Sequence, residues 1–317
     1  MPERVLVIGK NGQLGQSLQK ISAEYGHLEL EFVGRDQLDL SCADTVRQFF
    51  AAAQPYAAII NAAAYTAVDK AESEPVLADR VNHLAVRQLA EIAREQAALL
   101  LHISTDYVFD GTSHRPWLET DPAAPVNEYG RSKLAGEQAI LASGCRGAIV
   151  RTSWVYSEFG NNFLKTMLKL GTEREELGVI FDQVGTPTYA TDLARALLAF
   201  LSESASTDAV GSAGVELYHY SNEGVCSWYD FAHAIFELTE MDCRVKPIET
   251  KAYPTHASRP HYSVLNKSKI RRQLGITVPY WRDSLKTCRD ELARNHVKLT
   301  LFSLQRQPHQ VNQQSGR

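Results

Sequence analysis

The chain has 317 residues, 44% of them hydrophobic, enough for two lobes or one enlarged α/β domain. Its formal net charge of -4, with both signs spread along the chain, gives no basic face for a phosphate polymer, so nucleic acid is not expected as a partner. No apolar run approaches the roughly 20 residues that span a bilayer, and Cys42, Cys145, Cys226, Cys243 and Cys288 include no C-x-x-C pair. A soluble cytoplasmic protein with reduced thiols and no membrane contact is expected.

The first half alternates short β-branched runs with longer amphipathic stretches, as a parallel sheet covered by helices requires. Strands are expected at Arg4 to Ile8, Glu29 to Gly34, Ala58 to Asn61, Leu99 to Ser104 and Gly147 to Arg151. Helices are expected at Gly12 to Ala23, Ala43 to Ala53, Val81 to Gln96 and Tyr129 to Ala142. Ser41, three before Asp44, has the spacing of a capping box. After Arg151 the rhythm changes: a loop with Trp154, a helix near Phe163 to Leu170, a strand at Val179 to Asp182 and a helix from Thr191 to Leu201. The stretch Ser202 to Gly214 reads as a linker, followed by a strand at Leu217 to Ser221, a helix from Ser227 to Leu238 and a frayed tail after about Phe302.

The pattern predicts an α/β fold, a doubly wound parallel sheet of Rossmann type with a smaller, interleaved substrate-binding lobe. Residues 1–152 plus about 178–202 form the dinucleotide-binding domain, 153–177 and 203–300 the lobe, and 301–317 a polar tail.

Gly9-Lys-Asn-Gly12-Gln-Leu-Gly15 follows the first strand and opens a helix, where missing Cβ atoms allow close backbone approach to a pyrophosphate and helix N–H groups meet its charge. Gly9, Asn11, Gly12, Gln13 and Leu14 are therefore candidate cofactor ligands. After the second strand, Arg35 could pair with a 2′-phosphate, or else be a solvated loop charge, while Asp39, beside Leu40, would prefer a free 2′-hydroxyl. The balance favours NADPH and leaves NADH open. The small residues Ala62, Ala63 and Ala64, then Tyr65 and Thr66, end the third strand where a flat cofactor can lie; Ile103 on the fourth completes that set.

Tyr129 and Lys133 are four apart on an expected helix and so share a face. Thr105 closes the fourth strand at the same sheet edge. A carbonyl taking up hydride becomes an alkoxide and needs a hydrogen-bond donor and a proton source within roughly 3 Å. Thr105 can supply the first, Tyr129 the second, and Lys133 can lower the pKa of the phenol. His102, His219 and His233 lack paired ligand spacing and read as fillers of strand and helix positions.

Taken together, several strings resemble the dTDP-4-dehydrorhamnose reductase family of extended short-chain dehydrogenase/reductases, over nearly the whole length to about Leu292. They are the Gly9–Gly15 turn, Asn61 to Glu72, Ser104 to Gly111, Tyr129-Gly-Arg-Ser-Lys133, Arg151 to Tyr156, Asn161-Asn-Phe163 and Tyr253 to Pro260. The resemblance implies reduction of a dTDP-linked 4-ketosugar in cell-surface polysaccharide synthesis. Tyr129 would be the proton donor, Lys133 its partner and ribose ligand, and Thr105 the carbonyl clamp. Asp106 and Trp154 would line the sugar site, with Arg259 at the diphosphate. Related dehydratases carry Thr-Asp-Glu where this chain has Thr105-Asp106-Tyr107, which points to simple reduction. A reductase or epimerase of another nucleotide sugar, and a non-catalytic regulatory subunit, are the alternatives. Some relatives hold magnesium through glutamates at a dimer contact; the matching positions here are Ser17, Thr191 and Glu291, with one carboxylate between them. Hard cations need several oxygen ligands, so no metal is expected, and a homodimer stays open.

Overall fold

The computed structural model describes residues 3–201 and 214–305. The expected linker, apart from Gly214, and the tail from residue 306 onward lie outside the described residues. The strands are β1 (Glu3–Ile8), β2 (Leu28–Val33), β3 (Ala58–Asn61), β4 (Leu99–Thr105), β5 (Arg146–Thr152), β6 (Glu176–Ile180), β7 (Val215–His219) and β8 (Arg244–Ile248), with several two-residue pairings besides. The longer helices are α1 (Gln13–Ile21), α2 (Ala43–Ala52), α3 (Ala85–Glu95), α4 (Glu128–Ala142), α5 (Phe163–Glu173), α6 (Ala190–Ala199), α7 (Trp228–Thr239), α8 (Ser268–Leu274) and α9 (Trp281–Gln305). Among the described residues, no helix is long and apolar enough to cross a membrane.

Six strands form one sheet in the order β7-β5-β4-β3-β1-β2, every pairing parallel. The alternation of side chains along each strand splits the apolar residues between two cores. Val5 and Val7 of β1 join Leu14 and Leu18 of α1 and Leu193 and Leu197 of α6 on one face. Leu6 and Ile8 join Val46 and Phe50 of α2 and Val86 and Leu89 of α3 on the other. The strand order reverses between β1 and β3, and in such sheets the crevice outside the carboxyl ends at the reversal receives the ligand.

Several expectations change here. The strand expected at Leu217 to Ser221, placed by sequence in the lobe, is β7, the edge strand of the main sheet, because its run pairs with β5 along Gly147 to Arg151. The strand expected from Val179 is β6, which pairs with β8 outside that sheet. No capping box forms at Ser41: α2 starts after Cys42 without a side-chain cap, because the Ser41 amide and hydroxyl both donate to Asp39 Oδ1, at 2.9 and 2.7 Å. A capping box does form at Ser227 and Asp230, at the start of α7. The helix expected from Val81 to Gln96 begins as a π-type turn, Arg80–Leu84, ahead of α3. The tail boundary also moves, since α9 stays helical to Gln305.

That π-type turn positions the helix carrying Tyr129. A Cβ on Gly136 of α4 would sit 2.1 Å from the Asn82 carbonyl oxygen, so only glycine lets the two backbones meet so closely. Asn82 is buried and donates to the Tyr65 carbonyl and to Ser132 Oγ, both at 3.0 Å, while its Oδ1 accepts from the Tyr65 amide at 2.9 Å. On the other side of α4, Arg151 of β5 donates to Glu137 at 2.9 and 2.6 Å, and Ser104 of β4 donates to the same carboxylate at 2.5 Å. All three side chains are buried, so the ion pair ties α4 to both central strands.

Candidate active site

A cleft of about 830 Å³ opens at the point where the strand order reverses. Its floor is the turn from β1 into α1. Gly9 has φ of 99°, in the left-handed region, and a Cβ there would lie 2.9 Å from the Ala63 amide nitrogen. A Cβ on Gly15 would stand 2.2 Å from the Gly9 carbonyl oxygen. The outer two glycines therefore make the turn, while Gly12, at the helix N-cap, lines the cleft with nothing beyond Cα to fill it. Such a cradle, with free helix N–H groups at its edge, fits a pyrophosphate.

The cleft gathers every residue expected at the cofactor: Gly9, Asn11, Gly12, Gln13, Leu14, Arg35, Asp39, Leu40, Ala62, Ala63, Ala64, Tyr65, Thr66, Ile103, Tyr129 and Lys133. Gln13 also reaches the loop before α5, where Ser157 Oγ and Asn162 Nδ2 each donate to its Oε1 at 2.9 Å. At the far end Asp39 is already engaged: Ser41 occupies Oδ1, and Arg35 Nε donates to Oδ2 at 3.2 Å. The Arg35 side chain is 76% exposed, so its remaining N–H groups face solvent and the cleft.

At the chemical end, Thr105 closes β4 and the start of α4 brings Tyr129 over it. Asn127 caps α4 by accepting from the Gly130 amide at 2.7 Å, and the Tyr107 ring meets that of Tyr129 edge-on at 5.5 Å. Burial pushes the Tyr129 phenol up to about 12; a hydrogen bond with Thr105 opposes this and the Asp106 carboxylate adds to it. Lys133 follows Tyr129 one turn later on the same helix. Its Nζ turns to the sheet, donating to the Ile103 carbonyl at 2.7 Å and lying 3.2 Å from His102 Nε2. Burial brings its pKa down to about 8.

Asp106 lines the cleft beside Thr105, whose hydroxyl donates to its Oδ1 at 3.1 Å. Burial raises its carboxyl to about 6. Trp154 also lines the cleft, with φ of 48°, its indole stacked on Trp228 at 3.6 Å between ring centroids. A Cβ on Gly185 would press on that indole at 2.7 Å, so the glycine makes room for the ring. Arg259 is placed differently from the rest. It does not line the cleft but forms a two-pronged pair with Asp69, Nη2 donating to Oδ2 at 2.7 Å and Nη1 to Oδ1 at 3.2 Å.

Other lining residues had no role assigned from sequence, among them Tyr107, Thr152, Ser153, Gly160, Asn161 and Asn162. Asn162 carried a findable signal, since Asn before Phe163 is an N-cap, and its side chain accepts from the Lys165 amide at 3.1 Å. Of the histidines read as fillers, His219 is buried against the Trp117 carbonyl and His233 lies exposed on α7. His102 is buried against Lys133 itself.

The positions matching the relatives' magnesium glutamates do not suit a divalent ion. Ser17 and Thr191 are buried hydroxyls, and Glu291 accepts from the Lys20 ammonium at 2.9 Å. Lys20 also donates to the buried Glu158 at 2.7 Å, so a side-chain cation already serves these carboxylates.

The chain matches the family model described as the RmlD substrate binding domain over residues 3–294. It is 42% identical over 301 residues to the dTDP-4-dehydrorhamnose reductase of Escherichia coli (strain K12), covering 91% of this chain and 97% of that one. Among solved structures, a dTDP-4-dehydrorhamnose reductase from Clostridium acetobutylicum ATCC 824 superimposes with a TM-score of 0.85 at 40% identity, covering 92% of this chain and 99% of the other. The corresponding reductase of Bacillus anthracis str. Ames, solved in complex with NADP, gives a TM-score of 0.83 at 37% identity over 92% and 100% of the two chains. With a family model over residues 3–294 and relatives of this identity covering 91% and 92% of it, the chain belongs to the dTDP-4-dehydrorhamnose reductase family.

Proposed function

We propose that this protein reduces the 4-keto group of dTDP-4-dehydro-L-rhamnose to give dTDP-L-rhamnose, using NADPH. The observation that carries the reading is the convergence of Thr105, Tyr129 and Lys133 on the cleft above the Gly12 cradle, in a chain whose relatives bear that name. A nicotinamide cofactor bound in the cleft supplies the hydride. Thr105 hydrogen-bonds the substrate carbonyl oxygen, and Tyr129 delivers the proton that oxygen needs as it becomes an alkoxide. At about 12 the buried phenol holds its proton firmly before reaction. Lys133 binds the ribose and, when protonated, eases proton loss from the phenol. Asp106 and Trp154 face the sugar. Arg259, released from or shared with Asp69, meets the diphosphate, for which its planar cation is suited.

NADPH is preferred because the acid that would favour a free 2′-hydroxyl, Asp39, is committed to Ser41 and Arg35, while Arg35 keeps donors free for a phosphate. The reaction needs no magnesium in this reading, since Ser17 and Thr191 offer only hydroxyls and Glu291 already pairs with Lys20.

Replacing Tyr129 by Phe lowers turnover by about 10²–10⁴-fold with NADPH affinity kept, read from NADPH oxidation on adding the ketosugar and from cofactor titration. Turnover close to wild type removes the phenol from the mechanism. Arg35→Ala raises the KM for NADPH by roughly 10- to 100-fold and leaves that for NADH nearly unchanged, the loss of a charge-assisted contact; equal effects on both cofactors contradict the assignment. EDTA leaves turnover unaltered and metal analysis finds no stoichiometric magnesium; activity that is lost to chelation and restored by magnesium refutes this.

Asp106 gives a pH dependence whose sign is fixed. Its folded pKa, about 6, lies above the ordinary 3.8, so the fold prefers the neutral acid. That contribution is complete below about pH 4 and is lost as pH rises through about 6, amounting to about 3 kcal/mol. Asp106→Asn is therefore more stable than wild type at pH 8, with the difference shrinking toward pH 4.5 in urea titrations; a difference that does not vary with pH contradicts the shift.

A further inference from the structure

His102 lies wholly buried on β4, and the proposed reaction makes no use of it. Both ring nitrogens are in contact: Nδ1 is 3.1 Å from Asn61 Nδ2 and Nε2 is 3.2 Å from Lys133 Nζ. A backbone group decides which nitrogen carries hydrogen. The Ala63 amide donates to Asn61 Oδ1 at 3.2 Å, and turning the carboxamide over would set two donors against each other there. Asn61 thus presents its NH₂ to His102, and Nδ1 must accept. A neutral imidazole that accepts at Nδ1 carries its hydrogen on Nε2, aimed at Lys133.

An ammonium has three donors and no lone pair. While Lys133 is charged, either ring tautomer leaves a donor facing a donor, at Lys133 or at Asn61, on either side of a wholly buried ring. The neutral amine leaves none. Its lone pair accepts from His102 Nε2–H, one N–H goes to the Ile103 carbonyl at 2.7 Å, and the other is left for the cleft.

We infer that Asn61 and His102 are positioning residues for Lys133: Asn61 fixes the His102 ring with hydrogen on Nε2, and that ring holds Lys133 as a neutral amine in the cofactor-free protein. The inference deepens the catalytic reading of Lys133, but the state of the ring does not depend on that reading. Of the charged groups nearby, Glu137, one turn further along α4, favours the ammonium, but Arg151 and Ser104 already occupy its carboxylate. Asp106 lies at the end of β4 beside Thr105, and Tyr129 precedes Lys133 by one turn of α4. Burial lowers the Lys133 ammonium to about 8 and puts the His102 ring well below its ordinary value, both in the direction a neutral pair requires.

The test is ¹⁵N NMR of the full-length, cofactor-free protein with labelled histidine and lysine at pH 8. The His102 ring, identified by through-space contacts to Ile103, is expected to show a protonated Nε2 and an unprotonated Nδ1. An Nδ1–H tautomer, or an imidazolium, overturns the inference. Asn61→Asp provides an acceptor for Nδ1–H while still receiving the Ala63 amide. It is expected to reverse the tautomer and raise the Lys133 pKa by a unit or more; an unchanged Lys133 titration in a folded variant also overturns it. The wild-type ring spectrum decides between the two tautomers if that variant does not fold. Should Tyr129→Phe keep its turnover while the ring shows Nε2–H, the catalytic reading falls and the ring assignment stands. An Nδ1–H ring together with an inactive Tyr129→Phe removes the ring assignment and keeps the catalytic role of the phenol.

Discussion

The site depends on a helix fixed between the π-type turn on one side and the central strands on the other. Tyr129 and Lys133 are useful only if α4 lies within hydrogen-bond reach of the end of β4. That closeness comes from Gly136 against the Asn82 carbonyl on one side and the Glu137–Arg151 pair on the other. Burying a carboxylate and a guanidinium together has a large desolvation cost, and leaving either alone would cost more, so the pair fixes where α4 can lie. Lys133 then meets the Ile103 carbonyl and the His102 ring at the end of its buried stem.

Burial also sets the electrostatics. It is the leading influence on Tyr129, Asp106 and Lys133, raising the two acids and lowering the base. All three shifts run toward the neutral side chain. The cations at the margins of the cleft are placed elsewhere: Arg35 near the ribose end and Arg259 on Asp69. Gln13, in the phosphate-binding turn, accepts from Ser157 in the loop before α5 and from Asn162 at the cap of that helix. One side chain thus ties the turn to the loop that lines the cleft beside it.

At the remote end of α1, Lys20 joins Glu158 and Glu291, linking the helix that starts at the phosphate turn to the loop before α5 and to α9. A side-chain ammonium needs no particular coordination number, whereas a divalent ion needs several oxygen ligands. Glu158 also accepts from Tyr189 at 3.1 Å, which explains why a carboxylate can be so deeply buried there.

By itself the sequence determined what short-range geometry determines. Alternating apolar residues in β1 separate onto two faces because successive side chains point opposite ways, and Tyr129 and Lys133 share a face because they are one turn apart. Gly9 and Gly15 mark the turn because no Cβ fits there. What joins residues far apart in the chain was decided only by the tertiary structure. The pairing of β7 with β5, the Arg259–Asp69 pair and the Lys20 cluster span long separations that no local period encodes. His102 reads as a strand filler until Asn61 and Lys133 are brought to its two nitrogens. The failed capping box at Ser41 is by contrast local, since Asp39, two residues earlier, offers its serine an acceptor. Local spacing fixes which side chains share a face; only the packed chain fixes which donor meets which acceptor, and among buried groups that choice governs the chemistry.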